Sequence, residues 1–247
     1  MHQVALAPCS PFSVSGELLR ESAKLARRLK VRLHTHLAET KDEENFTLSH
    51  FHMRPLEYME SLGWTGDDVW YAHGIHFTDE ELKYLTRTKT GVAHCPISNM
   101  KLSSGIAKIP QMLELGVPVG LAVDAPPAMT APTCWRKCAC LPSPPLKQQQ
   151  SAPGGYDILK MATAGSASLL GREKLGRIAP GMAADFFLVD LNRLELVGAQ
   201  FDVTSMLCTV GLKSSVDYTV VNGNVVVKEG KLTGIDEEKL QRRQMLL

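Results

Sequence analysis

Short apolar runs alternate with longer amphipathic stretches through the first half of the chain. Val4 to Ala7, Val31 to His36, Val69 to His73, Gly91 to His94 and Val119 to Val123 each read as a strand. Between the first two, Leu18, Leu19, Ala23, Leu25, Ala26 and Leu29 suit a helix capped by Ser15 and running to about Lys30. A short helix is expected around Pro55 to Leu62. Another runs from Asp79 to about Arg87, capped by Thr78 with Glu81 completing a capping box. Ile109 to Leu115 is helical and Gly116 stops it. Lys41 to His52 and Cys95 to Ile106 are polar and read as loops. Strands alternating with helices at this pitch predict βαβ units and a parallel sheet.

After two helical stretches, Tyr156 to Ala164 and Ser166 to Leu170, the pattern changes. G-R-I-A-P-G-M-A-A-D-F-F-L-V-D-L and V-D-Y-T-V-V-N-G-N-V-V-V-K-E-G-K-L read as short strands joined by turns. Val221-Asn222-Gly223-Asn224 is a hairpin signal, because Asn-Gly suits a type I′ turn. Glu237 to Leu246 reads as a terminal helix or frayed tail. This divides the chain into an α/β domain at 1–170 and a small β unit at 171–247.

Composition narrows the function classes. The 247 residues are 44% hydrophobic and 21% charged, with a formal net charge of +1. That balance offers no electrostatic case for nucleic acid or an anionic membrane. No apolar run has the length of a membrane span, and no secretory leader is read at the N-terminus. The six cysteines lack CxxC spacing, so a reduced, cytoplasmic setting is expected.

The chemistry gathers at strand ends. Val31 to Thr40 reads V-R-L-H-T-H-L-A-E-T; W-Y-A-H-G-I-H, G-V-A-H-C-P and V-G-L-A-V-D follow in order. Each strand delivers a polar residue at its C-terminal end, the face on which a barrel carries its site. Neutral imidazole and carboxylate suit Zn²⁺ or Fe²⁺. Taken singly, His36 could be a core histidine and Glu39 a solvated loop residue. His34 is expected to face the other side of the strand from His36 and to be structural. Cys95, Trp64 and Trp70 read as packing, and His50 and His52 as solvated. His73 is preferred to His76 because it ends its strand.

In this order, and closed by I-A-P-G-M-A-A-D-F-F-L-V-D, the motifs resemble the amidohydrolase superfamily, specifically its cytosine/guanine-type deaminases and triazine hydrolases. The resemblance runs from about Val4 to Leu232. It implies a partial (β/α)8 TIM barrel, strands four to eight, followed by part of a small β-sandwich. It implies His36 and Asp124 as metal ligands, Glu39 as a proton shuttle touching the substrate, and His73 as the holder of the attacking water. Asp124 would also accept that water's proton, and His94 would contact substrate. The implied cofactor is one divalent metal, Zn²⁺ first and Fe²⁺ second. The implied reaction is hydrolytic deamination of a small purine-like ring, 8-oxoguanine first, with a triazine, guanine or adenosine-type substrate as the alternative. A homo-oligomer is the assembly it implies.

Two departures from the family bear on activity. Its first-strand H-x-H pair is not in the sequence, which predicts an N-terminal truncation lacking two of four protein ligands. The competing reading is therefore a catalytically inactive fragment. Relatives also read V-D-G-S-A-S-N-D and then a helix, where this chain has A-P-P-A-M-T-A-P-T-C-W-R-K-C-A after Asp124. Removing one G after the aspartate codon of a plausible family gene yields the sequence found at 124–139. A frameshifted reading of Ala125 to Leu146 is the expectation, and resequencing the DNA tests it.

Overall fold

The computed structural model describes residues 3–124, 153–212 and 215–237, together with 239 and 242. The frameshift expectation for Ala125 to Leu146 therefore lies outside the described residues.

Five strands form a parallel sheet in chain order: β1 (Ala5–Leu6), β2 (Arg32–Leu37), β3 (Val69–His73), β4 (Gly91–His94) and β5 (Val119–Leu121). Helices connect them: α1 (Gly16–Leu29), α2 (Lys41–Phe51), α3 (Pro55–Ser61), α4 (Asp79–Thr88), α5 (Pro96–Lys101) and α6 (Ile109–Leu115). Pairing sets Leu37 opposite His73 and His94 opposite Leu121, so the strands end at one level.

The caps expected from sequence are present. Ser15 accepts the Leu18 N–H, and Thr78 and Glu81 form a reciprocal capping box. Leu19, Ala23 and Ala26 of α1 are buried, while Leu18 and Leu29 are exposed. On β2, Leu33, Thr35 and Leu37 point into the helix-covered core, and Arg32, His34 and His36 lie on the opposite, half-buried face. The expected orientation of His34 is thus corrected: side chains two apart on a strand share a face.

Two stretches expected to be loops are helical. In α2 the buried side chains are Glu43 and Thr47, both polar, so no apolar stripe marked it. Its start is nonetheless encoded: Thr40 accepts the Glu43 N–H at 3.3 Å, and Asp42, Glu43 and Glu44 occupy the first turn. In α5 the buried residues are Pro96, Ser98 and Asn99, and Pro96 suits the first helical position.

Beyond residue 153, α7 (Gly155–Lys160) continues through a π turn at Met161–Gly165 into α8 (Ser166–Leu169). This segment packs on β5 so closely that a Cβ at Gly165 would lie 2.2 Å from the Val119 carbonyl oxygen. The Ser166 hydroxyl also accepts the Leu121 N–H at 3.1 Å and donates to the Leu121 carbonyl at 3.1 Å.

A second sheet is antiparallel, in the order β6 (Phe186–Leu188), β7 (Tyr218–Val221), β8 (Asn224–Lys228) and β9 (Lys231–Leu232). The β7–β8 turn has φ of 50° at Asn222 and 80° at Gly223, the two positive values a type I′ turn demands. Helix α9 (Val203–Thr209) places Met206 and Cys208 in a second core with Ile158, Leu196 and Leu212. Among the described residues no helix is long and apolar enough to cross a membrane.

Candidate active site

The strand ends of the parallel sheet are kinked in a common way. Ala38 directly after β2, His73 at the end of β3 and Asp124 after β5 have φ of 53°, 72° and 67°. Left-handed backbone at non-glycine residues costs on the order of 1–3 kcal/mol and persists only where surrounding structure enforces it. Here the enforcement is visible. The Ala38 carbonyl accepts N–H groups of Ile75 and His76 at 2.8 and 2.9 Å, and Gly74 donates to the Leu37 carbonyl at 3.1 Å.

These kinks bring the candidate residues together. One ligand atom from each of His36, His73 and Asp124 falls within 4.8 Å of the others. His36 Nε2 is 3.8 Å from Asp124 Oδ1, and His73 Nε2 is 4.0 Å from Asp124 Oδ2. Glu39 borders the cluster, with Oε2 3.5 Å from His73 Nε2 and Oε1 accepting the Ser104 hydroxyl at 3.4 Å. The imidazoles of His36 and His73 are stacked, with centroids 5.4 Å apart.

The outer contacts orient the inner atoms. His36 Nδ1 lies 2.5 Å from the Cys9 carbonyl. A carbonyl only accepts, so the ring proton sits on Nδ1 and the Nε2 lone pair faces Asp124. His73 Nδ1 lies 2.8 Å from Asn99 Oδ1. The side chain of His73 is 1% exposed, and its Nε2 has no hydrogen-bond partner among the described residues. Such a buried nitrogen, beside a second imidazole and a carboxylate, is what a borderline divalent cation satisfies. The residues therefore fit a metal.

His94 ends β4 and is buried, with neither ring nitrogen partnered among the described residues. Burial first, and nearby His73 second, push its pKa down to about 4, so it is neutral at pH 7. His34 stacks on Trp70 with centroids 4.9 Å apart and sits 6.0 Å from the His36 ring. His76 turns away, its Nε2 3.1 Å from the Ser104 carbonyl. Trp64 is fully buried, its indole donating to the Leu19 carbonyl at 2.7 Å.

Sequence reasoning missed Ser98, Asn99 and Glu43. The Ser98 hydroxyl donates to Asp124, Asn99 meets His73, and Glu43 accepts the Ala38 N–H at 2.7 Å. Their signal was position: C-P-I-S-N directly follows a strand-end histidine, and Glu43 lies in the first turn of the helix after Glu39.

The chain is 42% identical over 239 residues to 8-oxoguanine deaminase of Pseudomonas aeruginosa, covering 95% of this chain and 52% of that protein. It is 42% identical over 248 residues to hydroxydechloroatrazine ethylaminohydrolase of Pseudomonas sp. strain ADP, covering 98% and 51%. The chain thus spans about half the length of the curated relatives it matches. The crystal structure of atrazine chlorohydrolase TrzN from Arthrobacter aurescens TC1, complexed with zinc, superposes with a TM-score of 0.90 at 28% identity. That superposition covers 98% of this chain and 54% of the other. Residues 1–226 match the amidohydrolase family model, and the chain belongs to the amidohydrolase family.

Proposed function

We propose that this chain carries the deaminating half of a metal-dependent amidohydrolase site, acting on an amino-bearing, purine-like ring with 8-oxoguanine as the first substrate. The observation that carries the reading is the convergence of His36, His73 and Asp124 with Glu39 alongside. In this reading β1 to β5 are strands four to eight of a (β/α)8 barrel, and the antiparallel sheet belongs to a small accompanying β-sandwich, with the division near residue 170.

His36 and Asp124 would hold one divalent metal, Zn²⁺ first, with the His73 nitrogen close enough to share in it. A metal held there supplies Lewis acidity, which makes water available as a nucleophile near neutral pH. His73 orients the water and Asp124 takes its proton. The water oxygen bonds to the ring carbon bearing the amino group, and the carbon–nitrogen bond breaks to release ammonia. Glu39 relays the two protons that the water loses, one of them by way of Asp124, to the ring nitrogen and the departing amine. Buried, neutral His94 presents a ring nitrogen to the substrate without adding charge.

The test is ammonia release by zinc-loaded full chain from 8-oxoguanine, guanine, adenosine and aminotriazines, with metal content measured on the same sample. Preference for 8-oxoguanine supports the reading. Bound zinc with turnover of a triazine alone moves the substrate. Neither metal nor ammonia leaves the alternative of an inactive fragment.

A further inference from the structure

Helix α5 sends two adjacent side chains into the back of the site. Asn99 is 2% exposed, and its Oδ1 lies 2.8 Å from His73 Nδ1. Ser98 is 0% exposed, and its hydroxyl donates to Asp124 Oδ2. One helical turn, begun by Pro96 and separated from β4 by one residue, therefore touches a group at the end of β3 and a group after β5.

We propose that Asn99 and Ser98 are the positioning pair of this site. Asn99 accepts the Nδ1–H of His73 and fixes its tautomer, and Ser98 holds the carboxylate of Asp124. The inference rests on the metal-hydrolase reading for its catalytic consequence.

Two parallel contacts set the tautomers. His36 has its proton forced onto Nδ1 by the Cys9 carbonyl, an acceptor with no alternative role. An asparagine amide can present oxygen or nitrogen, so Asn99 has a choice. With nitrogen towards His73, the imidazole proton would sit on Nε2, which has no hydrogen-bond partner among the described residues. With oxygen towards His73, its Nδ1–H is satisfied at 2.8 Å and the Nε2 lone pair is left for a ligand between itself and the Asp124 and Glu39 carboxylates at 4.0 and 3.5 Å, while Asn99 Nδ2 has no partner among the described residues. Both histidines then present the same nitrogen to the same point. Nothing on β3 itself provides this control: His73 has left-handed backbone and ends the strand, so its ring depends on a partner from elsewhere.

The experiment is ¹⁵N NMR of the histidine rings in the full chain at pH 8.5, without metal, with the His73 signals identified by their loss in His73→Gln. A proton on Nδ1 of His73 is expected. In Asn99→Leu that proton is lost, and zinc affinity, measured by competition with a chromophoric chelator, falls about 10- to 100-fold. Asn99→Asp, which keeps an acceptor, retains the Nδ1 proton and stays within a few-fold of the parent affinity. Ser98→Ala weakens zinc by about 10-fold. A bare Nδ1 in the unsubstituted chain overturns the inference, as does Asn99→Leu with unchanged ring protonation and affinity. Should Asn99→Leu fail to fold, the parent spectrum and Asn99→Asp decide the matter. A protonated Nδ1 with no ammonia release from any substrate would overturn the deaminase reading and leave the positioning pair standing.

Discussion

The Oε1 of Glu43 accepts the Ala38 N–H at 2.7 Å, tying the first turn of α2 to the left-handed residue that precedes Glu39. Burial is the larger influence on this carboxyl. Desolvation raises its pKa from 4.5 to about 7, against the lowering effect of N–H groups from Ala38 and Glu39. The unfolded chain loses the proton near 4.5 and the folded chain keeps it until about 7. Stability from this group is therefore complete below the unfolded pKa and is lost as pH rises through the folded one. Between pH 5 and pH 8 the loss is roughly 2–3 kcal/mol. Glu43→Gln removes it, so urea melts should show a shallower decline over that range than the parent. Identical pH slopes in the two proteins would refute the assignment.

Glu39 is expected to act on protons rather than on metal. Glu39→Gln keeps the size of the side chain and the acceptor for Ser104, but it cannot shuttle protons. Turnover should fall about 10²- to 10⁴-fold while zinc content stays at the parent level. Loss of zinc together with activity would instead make Glu39 a ligand.

If His36 and Asp124 hold a cation, the folded state is stabilised by it. At a free zinc concentration of about 100 times Kd, the gain is about 2.7 kcal/mol. Thermal melts with and without zinc should show this gain in the parent and lose it in His36→Asn and Asp124→Asn. A parent melt indifferent to zinc and to chelator would remove the metal from the site.

Much of this site could be read from strand ends. His36, His73, His94 and Asp124 each terminate or closely follow a short apolar run, and period and position suffice to bring them to one face. The supporting groups could not be read in that way. Glu43 and Asn99 are polar residues on the buried sides of α2 and α5, helices whose buried positions give no apolar periodicity. A pattern of hydrophobic spacing is blind to a helix that buries carboxylate and amide. His34 differs from its expected orientation for another reason: residues two apart on a strand share a face, which places it beside His36 and against Trp70.

Arg54 offers a test of how the helices behind the site are held. Its guanidinium donates to Glu81 at 2.9 and 3.0 Å, to Glu44 at 2.6 Å and to the His76 carbonyl at 3.1 Å. It thereby joins α2 and α4 to the turn after β3. The side chains are 29% exposed for Arg54, 15% for Glu44 and 13% for Glu81, between the surface and buried cases. Exposed pairs contribute about 0–1 kcal/mol, whereas breaking a buried pair costs about 3–5 kcal/mol. Arg54→Met should therefore cost about 2 kcal/mol, read as a lower urea midpoint at unchanged m. Most of that cost is the Glu81 carboxylate left without its cation, since Glu44 keeps the Lys41 ammonium at 3.0 Å. Glu81→Gln added to Arg54→Met should accordingly recover about half of it. A double variant no more stable than Arg54→Met alone would show that the arginine acts through packing of its stem instead of its charge.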